Sequence, residues 1–73
     1  MQEKKQIKEV FSDYQTESII KEAKILGLNL IKKVNVLEIN LSSEKYIEIK
    51  ELWYFEKFLK ERFQFSNVDI KMQ

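Results

Sequence analysis

The chain predicts a small α+β fold, and three patterns predict it. One is a helical period running through Ile47 to Phe65. The second is a period-two pattern from Val36 to Ser42, with Leu37, Ile39 and Leu41 on one side and Val36, Glu38 and Asn40 on the other, repeated more briefly from Val68 to Met72. The third is the apolar run KILGLNLIK, residues 24–32, whose spacing suits a strand apolar on both sides. In order these read as one or two short helices, two strands, a long helix and a last strand: an α(α)ββαβ module. A three-stranded sheet with helices packed on one face is the expected architecture.

The long helix has the clearest signal. Ile49, Leu52, Phe55, Leu59 and Phe63 recur at spacings of three and four and define an inward stripe. Lys50, Glu51, Lys57, Lys60 and Glu61 fall elsewhere, and Glu56 lies at the stripe's edge. The helix is expected to begin near Glu48. Six of the chain's nine aromatic residues sit in this stretch, and three of them miss the stripe. Trp53 is on one flank; Tyr54 and Phe58 are on the other side. These rings are either rim packing in a small domain or an exposed patch for a partner. Trp53, Tyr54 and Phe58 are therefore the candidate partner-binding residues.

The N-terminal third is less regular. Residues 1–5 are polar and expected to fray. Ile7, Val10, Phe11 and Tyr14 have the spacing of a short amphipathic helix. Ser12 and Gln15 match a capping box that would open a second helix reaching about Glu22, with Ile19, Ile20 and Ala23 facing inward. One bent helix is the rival to two. Two are favoured, because SDYQT is rich in residues that compete with helical backbone.

Gly27 argues for a strand or a break over a helix interior in residues 24–32. Residues 32–35, KKVN, form a short turn, so the first two strands make a hairpin. Leu37, Ile39 and Leu41 point inward from the second strand. Ser66 and Asn67 turn the chain into the last strand, where Val68, Ile70 and Met72 alternate with Asp69 and Lys71. A crossover that leaves one strand's width puts the first strand in the centre, antiparallel to both neighbours. Its heavy apolar content fits that position.

Composition narrows the chemistry. The 73 residues suit one domain with a modest core. The net charge is +1 with acids and bases interspersed, which is not a nucleic-acid footprint. There is no His and no Cys. That removes the usual zinc sites and every acid, base or nucleophile arrangement built on those residues. The single Gly cannot build a phosphate-cradling loop or a GxxG clamp. The serines have no His to activate them. The carboxylates mostly stand beside Lys, a pattern of solvated faces. The expectation is a domain with no catalysis, no cofactor and no metal. The absence of Cys, of a signal-peptide h-region and of a long apolar run suits a cytoplasmic chain that does not engage a membrane.

The run VLEINLSSEKYIEIKELWYFEKFLKERFQFSNVDIKM resembles the N-terminal domain of the PolC-type DNA polymerase III α subunit, the replicative polymerase of low-GC Gram-positive bacteria. The strand Leu37 to Leu41, the step Ser42-Ser43-Glu44-Lys45, the helix Ile49–Phe63 and the strand Val68–Met72 carry the resemblance. The leading IKEVFSDY resembles the family's first helix. The likeness spans nearly the whole chain and rests on element positions, not on a catalytic signature. It implies that residues 1–73 are a single N-terminal accessory domain of a longer chain, and the sequence stops just after its last strand. It also implies a truncated KH-like module of the kind that binds proteins. The parent chain would be a DNA-directed DNA polymerase with 3′–5′ exonuclease, using Mg²⁺ outside this domain. The expected role is docking to a replisome protein, with the clamp-loader τ subunit as a candidate. Single-stranded nucleic-acid binding, through these rings and Lys32, Lys33, Lys45, Lys50, Lys57 and Lys60, is the alternative. A purely structural domain is a third reading.

Overall fold

The alternation of Leu37, Ile39 and Leu41 marks the centre of the sheet. The computed structural model describes residues 4–73. Helix α1 spans Ile7–Val10, and a single 3-10 turn spans Ile19–Glu22. Strand β1 is Lys24–Ile31, β2 is Val36–Ser42, helix α2 is Ile49–Phe63 and β3 is Asn67–Met72. The strand order is β1-β2-β3. The β1–β2 pair is an antiparallel hairpin, and β2 pairs with β3 in parallel. The predicted α+β class, the hairpin, the element order and the one-sided helices all stand.

The predicted place of the first strand does not. β2 is central and β1 is an edge. The crossover through α2 returns the chain directly beside β2, with no strand's width left open. The burial pattern agrees. Every second residue of β2 is buried, whereas β1 is buried only at Ile25 and exposed from Leu28 onward. Apolar content in β1 did not signal a central position, because the helices do not cover its far half.

One sheet face carries the core. Cross-strand partners share a face, so Ile25 and Leu41, Ile39 and Ile70, and Leu37 and Val68 point together. Phe55 and Leu59 of α2 lie on them, as do Ile7, Phe11, Ile20 and Ala23 of the N-terminal segment. Phe55 is fully buried and gathers rings: Phe11 at 5.6 Å and Tyr14 at 5.2 Å between centroids. The opposite face is polar. It shows Asn40, Lys71, and Asn29 donating to Glu38 at 3.0 Å.

The N-terminal segment is held by backbone more than by helix. Gln6 bridges Lys24 in antiparallel fashion, and the Ile25 N–H donates to the Lys5 carbonyl at 2.8 Å. Two separate short pieces are present, as favoured, but the capping box at Ser12 does not form one of them. The cap is Ser18, whose hydroxyl accepts from the Ile20 N–H at 3.2 Å. Thr16 in turn accepts from the Ser18 N–H at 3.1 Å. These local side-chain bonds delay the second piece to a single 3-10 turn.

Helix α2 starts after Glu48, as expected, and ends at Gln64 in the left-handed region with φ 61°. Asn35, also left-handed at φ 56°, closes the hairpin turn. Its side-chain amide donates to the Gln64 carbonyl at 2.8 Å, and its carbonyl accepts from the Ser66 N–H at 2.8 Å. One turn residue thus ties the hairpin to the helix–strand junction, and Asn tolerates the conformation better than most residues.

Gly27 lies next to an irregularity where β1 shifts register between Ile25 and Gly27. A Cβ there would meet only Asn40 Nδ2, at 3.7 Å. Because no positive φ is required of Gly27, Gly27→Ala should be neutral or stabilising by about 0.4–1 kcal/mol, through reduced freedom of the unfolded chain. A urea melt reads this directly, and a loss of more than about 1 kcal/mol would show that the bulge needs glycine.

Candidate functional site

The inward stripe of α2 is narrower than its spacing suggests. Phe55 and Leu59 are fully buried and Leu52 is half-buried, but Ile49 is exposed and Phe63 is partly so. The helix begins at Ile49; its first turn packs on the core through Leu52, just after the buried Ile47, while Ile49 itself turns to solvent. Ile49 then joins Trp53, one turn on, along a solvent flank.

The three candidate rings separate. Trp53 is 63% exposed and Tyr54 is 60% exposed, on opposite flanks of the core stripe of α2. Phe58 is half-buried, with its ring 4.7 Å from Tyr14 and 6.3 Å from Phe55. Trp53 and Tyr54 therefore form the open part of the surface, and Phe58 lies at its inner margin. Two residues that the sequence reading left out of the site belong with them. Tyr46, 82% exposed, lies just before the helix. Ile49 was assigned to the core. Apart from Phe58, the four are exposed apolar or aromatic residues within or just before the first turns of α2. A helical wheel centred on Phe55 and Leu59 would have moved Ile49 outward; nothing in the pattern around Tyr46 marks it.

Charges frame this surface. Lys50 pairs with Glu48 at 3.4 Å, both exposed. A shallow groove beside Trp53 is lined by Glu56, Lys57, Lys60 and Glu61. The lysines considered together as a basic face do not gather. Lys32 and Lys33 are at the hairpin turn beyond β1, while Lys50, Lys57 and Lys60 ride on α2. A second groove, at the junction of the 3-10 turn and the end of β2, is lined by Gln6, Glu22, Lys24, Ser42 and Ser43 among others. No polar or charged side chain is buried among the described residues, and no group of three or more carboxylates converges there.

On the far side of Phe58, burial pushes the Tyr14 hydroxyl above its usual range, helped by Glu51. Next to it, the Arg62 Nε–H donates to Asp13 at 2.7 Å and holds that carboxyl below the usual carboxylate range. A carboxyl lowered in the folded state adds stability above its unfolded pKa, about 3.9, and loses it as pH falls through the folded value. Asp13→Asn should therefore flatten the decline in stability below about pH 4 and slightly lower stability at pH 7. Urea midpoints at pH 7 and pH 3 check both signs.

Among the described residues, no helix is long and apolar enough to cross a membrane. No curated protein and no solved structure matched the chain. Residues 6–73 do match a family model described as DNA polymerase III polC-type N-terminus I. The match takes in every element of the fold and the whole surface around Trp53, so the chain belongs to the N-terminal region of PolC-type DNA polymerase III, a polymerase of DNA replication.

Proposed function

We propose that this region is a non-catalytic docking module of its polymerase, binding another replisome protein through the start of α2. The observation that carries the reading is the exposure of Trp53 and Tyr54, both off the core stripe of α2, together with the exposure of Tyr46 and Ile49 near the start of the helix. Aromatic residues at such a surface are strong binding anchors when a partner desolvates them. In this reading residues 1–73 form one accessory domain of a longer cytoplasmic chain. Deoxynucleotide transfer, its Mg²⁺ and any exonuclease belong to other parts of that chain. A protein-binding KH-like ancestry is consistent with the mixed three-stranded sheet.

The clamp-loader τ subunit is the first partner to test. Immobilised chain should retain purified τ subunit, and free chain should compete. No retention of τ or of any other purified replisome protein would sink the docking role. One observation favours a second reading: Trp53 shares its groove with Lys57 and Lys60. A ring beside two lysines can stack a base and meet phosphates. Oligonucleotide binding that weakens steeply with salt, and is lost in Trp53→Ala, would move the assignment to single-stranded nucleic acid.

A further inference from the structure

Among the described residues, the outer edge of β1 is open along most of its length. Among the described residues only Lys5 and Gln6 pair with it, at Lys24 and Ile25. Among the described residues no strand lies alongside Leu26 to Ile31, so alternate backbone N–H and C=O groups face outward from them. The other edge, β3, carries Asp69 and Lys71, charges of the sort that deter strand pairing. From Ile25 to Ile31 β1 carries no charge and no proline. On the core face its Leu28 is 51% exposed and its Leu30 is 44% exposed, because α2 lies over the β2–β3 side.

We infer that this edge receives an extended segment of another protein by strand addition, and that the segment has alternating apolar residues flanked by acids. Main-chain bonds along Leu26–Ile31 would hold it, and its inward side chains would lie on Leu28 and Leu30. The acidic flanks follow from charge. Lys24 stands at one end of the edge and Lys32 and Lys33 at the other. The same lysines disfavour a second copy of this chain. Antiparallel self-pairing about Leu28 sets Lys24 opposite Lys32, and parallel self-pairing sets each lysine beside its twin. This surface is separate from Trp53 and Tyr54, so the two assignments stand or fall independently.

The test is an amide NMR titration of the whole chain with a nine-residue peptide. The peptide carries three valines alternating with threonine between pairs of glutamates. Shifts are expected at Leu26–Ile31 and not at Tyr46–Tyr54. Affinity should fall at least tenfold in Lys32→Glu/Lys33→Glu and in Leu30→Lys, each checked for an unchanged fold by circular dichroism. Backbone N-methylation of the central valine should abolish binding. The proposal is overturned by no shifts at millimolar peptide, by shifts centred on α2, or by equal affinity for a lysine-flanked peptide. It is also overturned if the chain dimerises through this edge, if oligonucleotides shift the same amides more strongly, or if the peptide binds only after residues 1–3 are removed.

Discussion

Phe55→Ala should cost about 3–5 kcal/mol, the largest loss expected from any single truncation here. Phe55 is fully buried and is the ring on which the two halves of the core meet. Phe11 contacts it edge-on and Tyr14 at a tilt, both from the N-terminal segment. Phe58 stacks beside it within α2. Removing the ring leaves a cavity and also loosens the ring packing of that segment, whose regular pieces are short although its backbone bonds remain. A domain of this size has about 5 kcal/mol in hand at the low end of the usual range, so the variant should be largely unfolded near body temperature. Leu59→Ala, also fully buried, should cost about 2–5 kcal/mol but keep the ring cluster. Thermal melts by circular dichroism rank the two. A Phe55→Ala melt within a degree or two of the parent would show that the N-terminal segment is not held through this ring.

The difference between those two residues could not be read from spacing. Both lie on the same stripe with identical claims to burial. What separates them is Phe11 and Tyr14, more than forty positions away, and long-range pairing leaves no local pattern. The same reason explains the misplaced sheet order. The alternation in β2 revealed a half-buried strand and even its inward residues. Which strand sits beside it depends on where α2 returns the chain, and no residue encodes that alone. β1 was misleading because burial and apolar composition usually travel together. Here Leu28 and Leu30 are apolar and yet uncovered. The turn at residues 32–35 was legible from Asn35, but its second role, bonding to the end of α2, was not. Ile49 shows the limit of a periodicity argument. The period identifies the helix, while the covered arc depends on how far the sheet extends beneath it.

The exposure of the candidate rings was legible to the same degree. Trp53 and Tyr54 stood out because they broke a strong stripe, and both are open to solvent. Phe58 broke it equally but meets Tyr14, a partner from the segment whose second helix was expected to begin at Ser12. Departure from the core stripe thus identifies rings with no place in the central core. Whether a flanking element covers them is a separate question, decided by tertiary packing.

Trp53→Ala with Tyr54→Ala should therefore leave the fold almost unchanged and remove binding. Both side chains are more than half exposed and neither contributes to the core cluster, so stability should move by less than about 1 kcal/mol. If a partner covers them, each is placed to be an anchor, and losing both should weaken binding by about 2 kcal/mol or more, roughly thirtyfold. Phe58→Ala is the informative contrast. It should lower stability through Tyr14 and Phe55, with a smaller effect on affinity once folded protein is counted. Affinity for τ or another retained replisome protein, measured beside urea melts of all three variants, separates the cases. Equal affinity for parent and double variant would rule out this surface as the dock. A double variant that melts with the Phe58→Ala chain would show that the two outer rings support the fold after all.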